Sequence, residues 1–305
     1  MRDRLRLAMV LVLSALIVAT GVLIGRHFGA RPTAPTATPR PTQTSAGPPA
    51  PSPASSQPAA APNGLAALEG DFAQLESQLH AEIGIAVSAV GDGASPSALG
   101  QWQTGTAWST IKVPLTIAAL REGDPPQAND SAMRAAITES DNAAAESIWE
   151  GLGEPKTAAA KVQEVLREAG DLTTTVESQK VRPEFTAFGQ TDWSLDNQAR
   201  FLAFAYCDKR DAPVFSLMAE VEQDQRWGIG TIDGTEFKGG WGPSLSGSYL
   251  VRQIGVLPTP TGQAAVAIAA QPASGSFADG TNDLTAIAEW LKGRLSSLPA
   301  GHCPG

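Results

Sequence analysis

Strand-forming sequence lies at the two ends of the folded region, with no good strand between. Residues 83–90 (IGIAVSAV) read as a strand, Gly91-Asp92-Gly93 as a turn, and Ala98 to Thr104 as a second strand. Three more candidates come late, around Thr235 to Gly239, Ser248 to Leu257 and Ala264 to Gln271. From Ser109 to Gly170 the pattern is helical, residues 171–191 form a polar aperiodic loop, and helices resume over Ser194 to Cys207 and Val214 to Glu222. Helical spacing also brackets the whole: Leu65, Leu68, Phe72, Leu75 and Leu79 at the start, Leu284, Ile287, Leu291 and Leu295 at the end. Strands so placed bury their apolar faces by pairing across the chain. The order predicts an α+β fold of two lobes, an antiparallel sheet with the terminal helices packed on a face and an all-helical lobe, with a ligand pocket between them.

Ahead of this region the composition changes twice. Arg2, Arg4 and Arg6 precede an uncharged apolar run from Leu7 to Ile24, closed by Arg26-His27. At 1.5 Å per residue the run reaches about 27 Å, enough to span a bilayer. The basic flank predicts a cytoplasmic N-terminus and an extracytoplasmic remainder. Residues 1–30 therefore read as a signal anchor, with a cleaved signal peptide as the rival reading. Residues 31–63 hold ten prolines among Thr, Ala, Ser and Gln, a composition that builds no core and reads as an extended spacer of up to about 100 Å. Residues 64–305 remain as the folded domain. The net charge of -9 excludes nucleic acid and a basic membrane-surface patch, which leaves the N-terminal segment as the membrane contact.

Ser109 and Lys112 lie three residues apart at the start of an apolar helical run (Ser109-Thr110-Ile111-Lys112-Val113-Pro114-Leu115), so their side chains share one face of a turn. A buried lysine loses charge stability, its pKa falls, and its neutral amine can take a serine proton. None of the three histidines, His27, His80 and His302, lies among these residues, which argues against a Ser-His-Asp triad and a histidine-rich zinc site. Taken alone, Ser109 could equally be a helix cap and Lys112 a lysine reaching for solvent. Ser140-Asp141-Asn142 follows, and it too can be a helix cap, with Lys238-Gly239-Gly240 further on.

With these three motifs in order, residues 65–298 resemble the class A serine β-lactamase family. The first two motifs match fully and the third in part. The resemblance implies a two-lobed fold and a serine hydrolase without metal or cofactor. Ser109 would be the nucleophile, Lys112 the acylation base or its partner, and Ser140 a proton relay held by Lys238. Asn142 would donate to the substrate's side-chain carbonyl, with Gly239 and Gly240 lining the site. The backbone N–H groups of Ser109 and Trp241 would face the developing oxyanion. For deacylation the resemblance implies a glutamate in the 171–191 loop, with Glu177 first and Glu184 second. Two departures stand out. Val181 occupies the place of an asparagine expected four residues after Glu177, and Gly239 lacks the hydroxyl that would hold a substrate carboxylate. Arg252 or Ser244 are the candidates to replace that contact. The interval from Ser109 to Ser140 is also short for the family, implying a trimmed helical lobe.

The expected ligand is a β-lactam or a peptidoglycan stem peptide, met by a monomer in the cell envelope. The alternatives are a D,D-peptidase and a non-catalytic cell-wall peptide binder on the same fold. The two cysteines, Cys207 and Cys303, are expected to form a disulfide, since the chain beyond the anchor faces an oxidising compartment.

Overall fold

A computed structural model describes residues 64–305 except 92, 94 and 124–130. The predicted anchor and the proline-rich spacer lie outside the described residues. Among the described residues no helix is long and apolar enough to cross a membrane.

A 3-10 turn (Gly64–Leu68) leads into helix α1 (Glu69–Gln78), then strands β1 (Ala81–Ala89) and β2 (Ser97–Gly100). The predicted second strand is split. β2 ends at Gly100, and Thr104–Thr106 is a separate short strand, β3, in another sheet. The chain leaves β2 through Gly100, whose φ of 87° ends extended pairing. It re-enters extended geometry to pair with β4 (Asp192–Ser194). A 3-10 turn (Trp108–Ile111) opens α2 (Lys112–Glu122). The helical block continues with α3 (Ser131–Arg134), a π-helical turn (Ala135–Glu139), α4 (Asn142–Gly151) and α5 (Pro155–Glu168). After the 171–191 loop come α6 (Leu195–Ala205) and α7 (Ala212–Met218). Strands β5 (Glu236–Pro243), β6 (Tyr249–Thr259) and β7 (Gly262–Pro272) and helix α8 (Phe277–Lys292) complete the order.

The main sheet has the order β2-β1-β7-β6-β5 with every pairing antiparallel. The two early strands and the three late ones thus share one sheet, as the pattern predicts, and β5 forms an edge. Both faces are covered. On β7, Ala264, Val266, Ile268 and Ala270 join the core with α1 and α8 residues such as Phe72, Leu284 and Leu291. Ala265, Ala267 and Ala269 point the other way, into the core that holds Phe201 and Leu202 of α6. The alternation follows the two-residue period of a strand. Three alanines on one face leave room for α6 to lie close to the sheet. That second core runs on through Ile117, Ile137, Ile148 and Val162 of the helical block, so the helical lobe and one sheet face share a single interior.

Cys207 and Cys303 are bonded, with Cα atoms 5.1 Å apart across 96 residues of sequence. The bond joins the end of α6 to the C-terminal tail. A backbone bridge between Gln263 and Gly301 holds the same tail to β7.

Candidate active site

Three segments meet at the start of α2. The first is the turn carrying Ser109. Trp108 stands at φ 51°, a costly conformation for a bulky residue. It is held by packing: its ring meets Phe185 edge-on at 5.0 Å. Ala107 N–H donates to Thr191 O at 2.7 Å, and Thr110 Oγ1 donates to Ala107 O at 2.7 Å. Ser109 is partly exposed, and its carbonyl accepts from the Lys112 amide.

The second segment is Ser140-Asp141-Asn142. Ser140 is at φ 61°, the left-handed turn that closes the π-helical stretch. Asp141 then caps α4, accepting from Ala144 N at 2.6 Å, so the helix-cap reading of this tripeptide is satisfied. Cap and site coexist, because Asp141 does the capping and leaves its neighbours free to face Lys112.

The third segment is β5. A Cβ on Gly240 would stand 2.9 Å from Ser109 N, Thr110 N and Ala107 O. Only glycine lets this edge strand lie against the Ser109 turn. The approach brings the backbone next to Trp241 alongside that of Ser109.

Two lysines bind these segments together. Lys112 Nζ donates to Ser140 O at 2.6 Å, Asn142 Oδ1 at 2.8 Å, Asp141 O at 3.3 Å and Ser140 Oγ at 3.5 Å. Lys238 Nζ donates to Ser140 Oγ at 2.8 Å and Gly239 O at 2.9 Å. Both side chains are buried. Burial pulls the Lys112 amine down to about 7, against the opposing pull of Asp141. Lys238 is also pushed well below the usual lysine range, by burial and then by the charge of Lys112. A hydroxyl bridged by two such amines can pass a proton in either direction, and an amine balanced near neutrality can accept one from a neighbouring serine.

The structure thus joins Lys112, Ser140, Asn142 and Lys238 in one hydrogen-bonded set; Ser109 meets Lys112 and Gly240 through its backbone, and its hydroxyl makes no hydrogen bond with that set. Glu177 makes no hydrogen bond with that set. Its carboxylate accepts from Gln179 N at 2.8 Å and its amide donates to Thr191 Oγ1 at 2.9 Å. Glu184 is an exposed carboxylate paired with Arg182 at 3.2 Å. Val181 points into solvent, 70% exposed.

Arg252 is a correction. It is fully buried, its guanidinium donating to Gly105 O, Thr106 O, Trp193 O and Gln198 Oε1, and it has no reach to a ligand beside Ser109. Burial lowers it to about 9. Its work is to tie β6 to the short β3–β4 sheet. Ser244 is exposed and shares a hydrogen bond with Ser246.

Two contributors escape sequence reasoning. Thr191 anchors both Ala107 and Glu177, a role with no motif. Trp227 lies over Gly239: a Cβ there would meet its Cη2 at 3.2 Å.

No protein-family model and no curated protein matches the sequence. Solved structures do. TLA-3 extended-spectrum β-lactamase aligns over 75% of this chain and 99% of its own, with TM-score 0.58 and 15% identity. A representative class A β-lactamase from Bacteroides cellulosilyticus DSM 14838 gives 0.62 at 15% identity, over 75% and 97%. The putative class A β-lactamase PenP from Rhodopseudomonas palustris gives 0.56 at 19%, over 74% and 99%. The fold is that of the class A β-lactamases. Within that fold the sheet edge β5 and the start of α2 face each other, which is where this chain gathers its two lysines and two serines.

Proposed function

We propose that the chain is an exported serine hydrolase that is acylated on Ser109, with β-lactam amides as its substrate class. The observation that carries this reading is the Ser140 hydroxyl held between two buried lysine amines, one of them Lys112, three residues along the chain from Ser109. Ser109 Oγ bonds to the amide carbonyl carbon as its proton passes to Lys112. The carbonyl oxygen takes the charge, facing the backbone N–H groups of Ser109 and Trp241. The C–N bond then breaks, and the proton reaches the departing nitrogen through Ser140. Water releases the acyl group and restores the serine. The apolar N-terminal run and the Cys207–Cys303 bond both support an extracytoplasmic setting, where disulfides persist.

One observation favours a second reading, a D,D-peptidase acting on cell-wall stem peptides. No carboxylate among the described residues hydrogen-bonds to Lys112 or to the Ser140 and Lys238 hydroxyl–amine pair, and that of Glu177 is occupied by Gln179 N. An acyl-enzyme without a carboxylate to activate water is long-lived. A non-catalytic peptide binder would have no use for two buried lysines on one serine.

Benzylpenicillin and a D-Ala-D-Ala stem peptide separate these readings. The hydrolase reading predicts penicillin turnover, with an acylation rate that rises with pH through about 7 as Lys112 loses its proton, then levels. A persistent penicillin adduct with peptide cleavage selects the peptidase. No adduct and no product would remove both.

A further inference from the structure

A recess of about 690 Å³ opens where α5, α6 and the C-terminal tail meet, and no residue of the Ser109 site lines it. Hollows of that volume take small organic molecules. Its floor is apolar: Ala169 just past α5, Ala203 and Phe204 of α6, and Pro304 next to the Cys207–Cys303 bond. Phe204 joins neither core and is 48% exposed, so its ring is an open apolar surface inside the hollow. Gly91 and Gly170 bound it at φ 89° and 80°, turns that favour glycine and leave those walls bare.

Four charged residues ring the floor: Glu168, Arg200, Asp208 and Lys209. The two acids are spent. Glu168 accepts from Arg121 at 2.6 Å, with Arg210 3.6 Å away. Asp208 accepts from Arg210 at 2.5 and 3.0 Å. Neither of these arginines lines the hollow. The helix ends are spent as well. At the close of α5, Leu166 O accepts from Asp171 N and Arg167 O from Gly170 N. At the close of α6, the carbonyls of Ala203, Phe204 and Ala205 accept from Gly91 N, Cys207 N and Asp208 N. A cation entering here meets acids already paired and carbonyls already bonded. Arg200 and Lys209 differ. Among the described residues neither has a hydrogen-bonded partner, and Asp196, one turn before Arg200 on α6, acts on it through charge alone. Arg200 stands at the rim, its Cδ 3.5 Å from where a Cβ on Gly170 would be.

We propose that this recess is a binding site for an apolar-tailed carboxylate, such as a medium-chain fatty acid. The tail lies on Phe204 and the apolar floor. The head group pairs with the Arg200 guanidinium, whose planar fork matches a carboxylate, while Lys209 adds positive potential from the same rim. The site is separate from Ser109 and does not depend on its acylation.

The test is calorimetric titration of the full chain with octanoate and with octylammonium, a tail of matched length under the opposite charge. Octanoate should bind saturably at one site, and about tenfold or more tighter than octylammonium, the factor expected of charge-assisted hydrogen bonds. Equal affinities, or uptake that does not saturate, would overturn the proposal. Arg200→Gln should weaken octanoate by a similar factor and leave octylammonium no weaker, whereas Arg200→Lys should retain part of the preference. Phe204→Ser should weaken both ligands. Arg200 and Phe204 are both partly open to solvent, so the variants are expected to fold, which a thermal melt verifies. Octanoate affinity unchanged in either folded variant would overturn the assignment, because uptake by the apolar N-terminal run survives both substitutions.

Discussion

Ser140 carries two demands in one residue, a hydroxyl between Lys112 and Lys238 and a backbone at φ 61°. The second is a cost, since a residue with a Cβ in the left-handed region loses about 1–2 kcal/mol. Ser140→Gly and Ser140→Ala remove the same hydroxyl, but only glycine relaxes the turn. Glycine should therefore be the more stable of the two by about 1 kcal/mol in denaturant melts, with acylation equally lost in both; equal stability would show that the turn is unstrained. At this scale the sequence was legible wherever chemistry repeats a spacing. Ser109, Lys112, Ser140, Asn142 and Lys238 are found from three short motifs, and four of them are joined by hydrogen bonds. Arg252 is misread as a stand-in for the contact that Gly239 cannot make. Nothing in its neighbours signals the three carbonyls and one glutamine that bury it. Trp227 was illegible for a related reason: an aromatic ring filling the space over a glycine is a fact of packing, not of spacing.

Among the elements, the meeting of β5 with the α2 turn decides the site. The strand lies on the sheet edge, and Gly240 sets how near it comes to Ser109. Gly240→Ala would push backbone against backbone at 2.9 Å, where no side chain can swing aside. Acylation should fall by more than about tenfold, equivalent to over 1.4 kcal/mol in the barrier. A melt close to wild type would show that the strand shifts without unfolding; an unaltered acylation rate would mean that β5 takes no part. The element order was readable from hydrophobic periodicity, and so was the pairing of early strands with late ones. The break between β2 and β3 was not, because Ala98 to Thr104 alternates well enough to pass for one strand. The tertiary demand that Thr104–Thr106 pair with Asp192–Ser194 is invisible locally. Coverage of the second sheet face by α6 follows from three alanines on β7, a pattern that reads as apolar but does not name its partner.

For the whole molecule, the Cys207–Cys303 bond closes the largest loop that covalent chemistry sets in the described residues, 96 residues long. Constraining that loop in the unfolded chain is worth roughly 4–5 kcal/mol on the chain-entropy model. Cys207→Ser should lower stability by about 2–5 kcal/mol, with the Gln263–Gly301 bridge and the buried Leu298 still holding part of the tail. A change below about 0.5 kcal/mol, the range of ordinary surface substitutions, would mean that the bond adds little. The measurement that bears most directly on the account is the intact mass of wild-type chain and Ser109→Ala after brief exposure to benzylpenicillin, with the adduct mapped by peptide digestion. The account predicts one added acyl group on Ser109 in the wild type and none in the variant, whose thermal melt is nearly unchanged because the hydroxyl does little packing. Undiminished labelling of Ser109→Ala would contradict it.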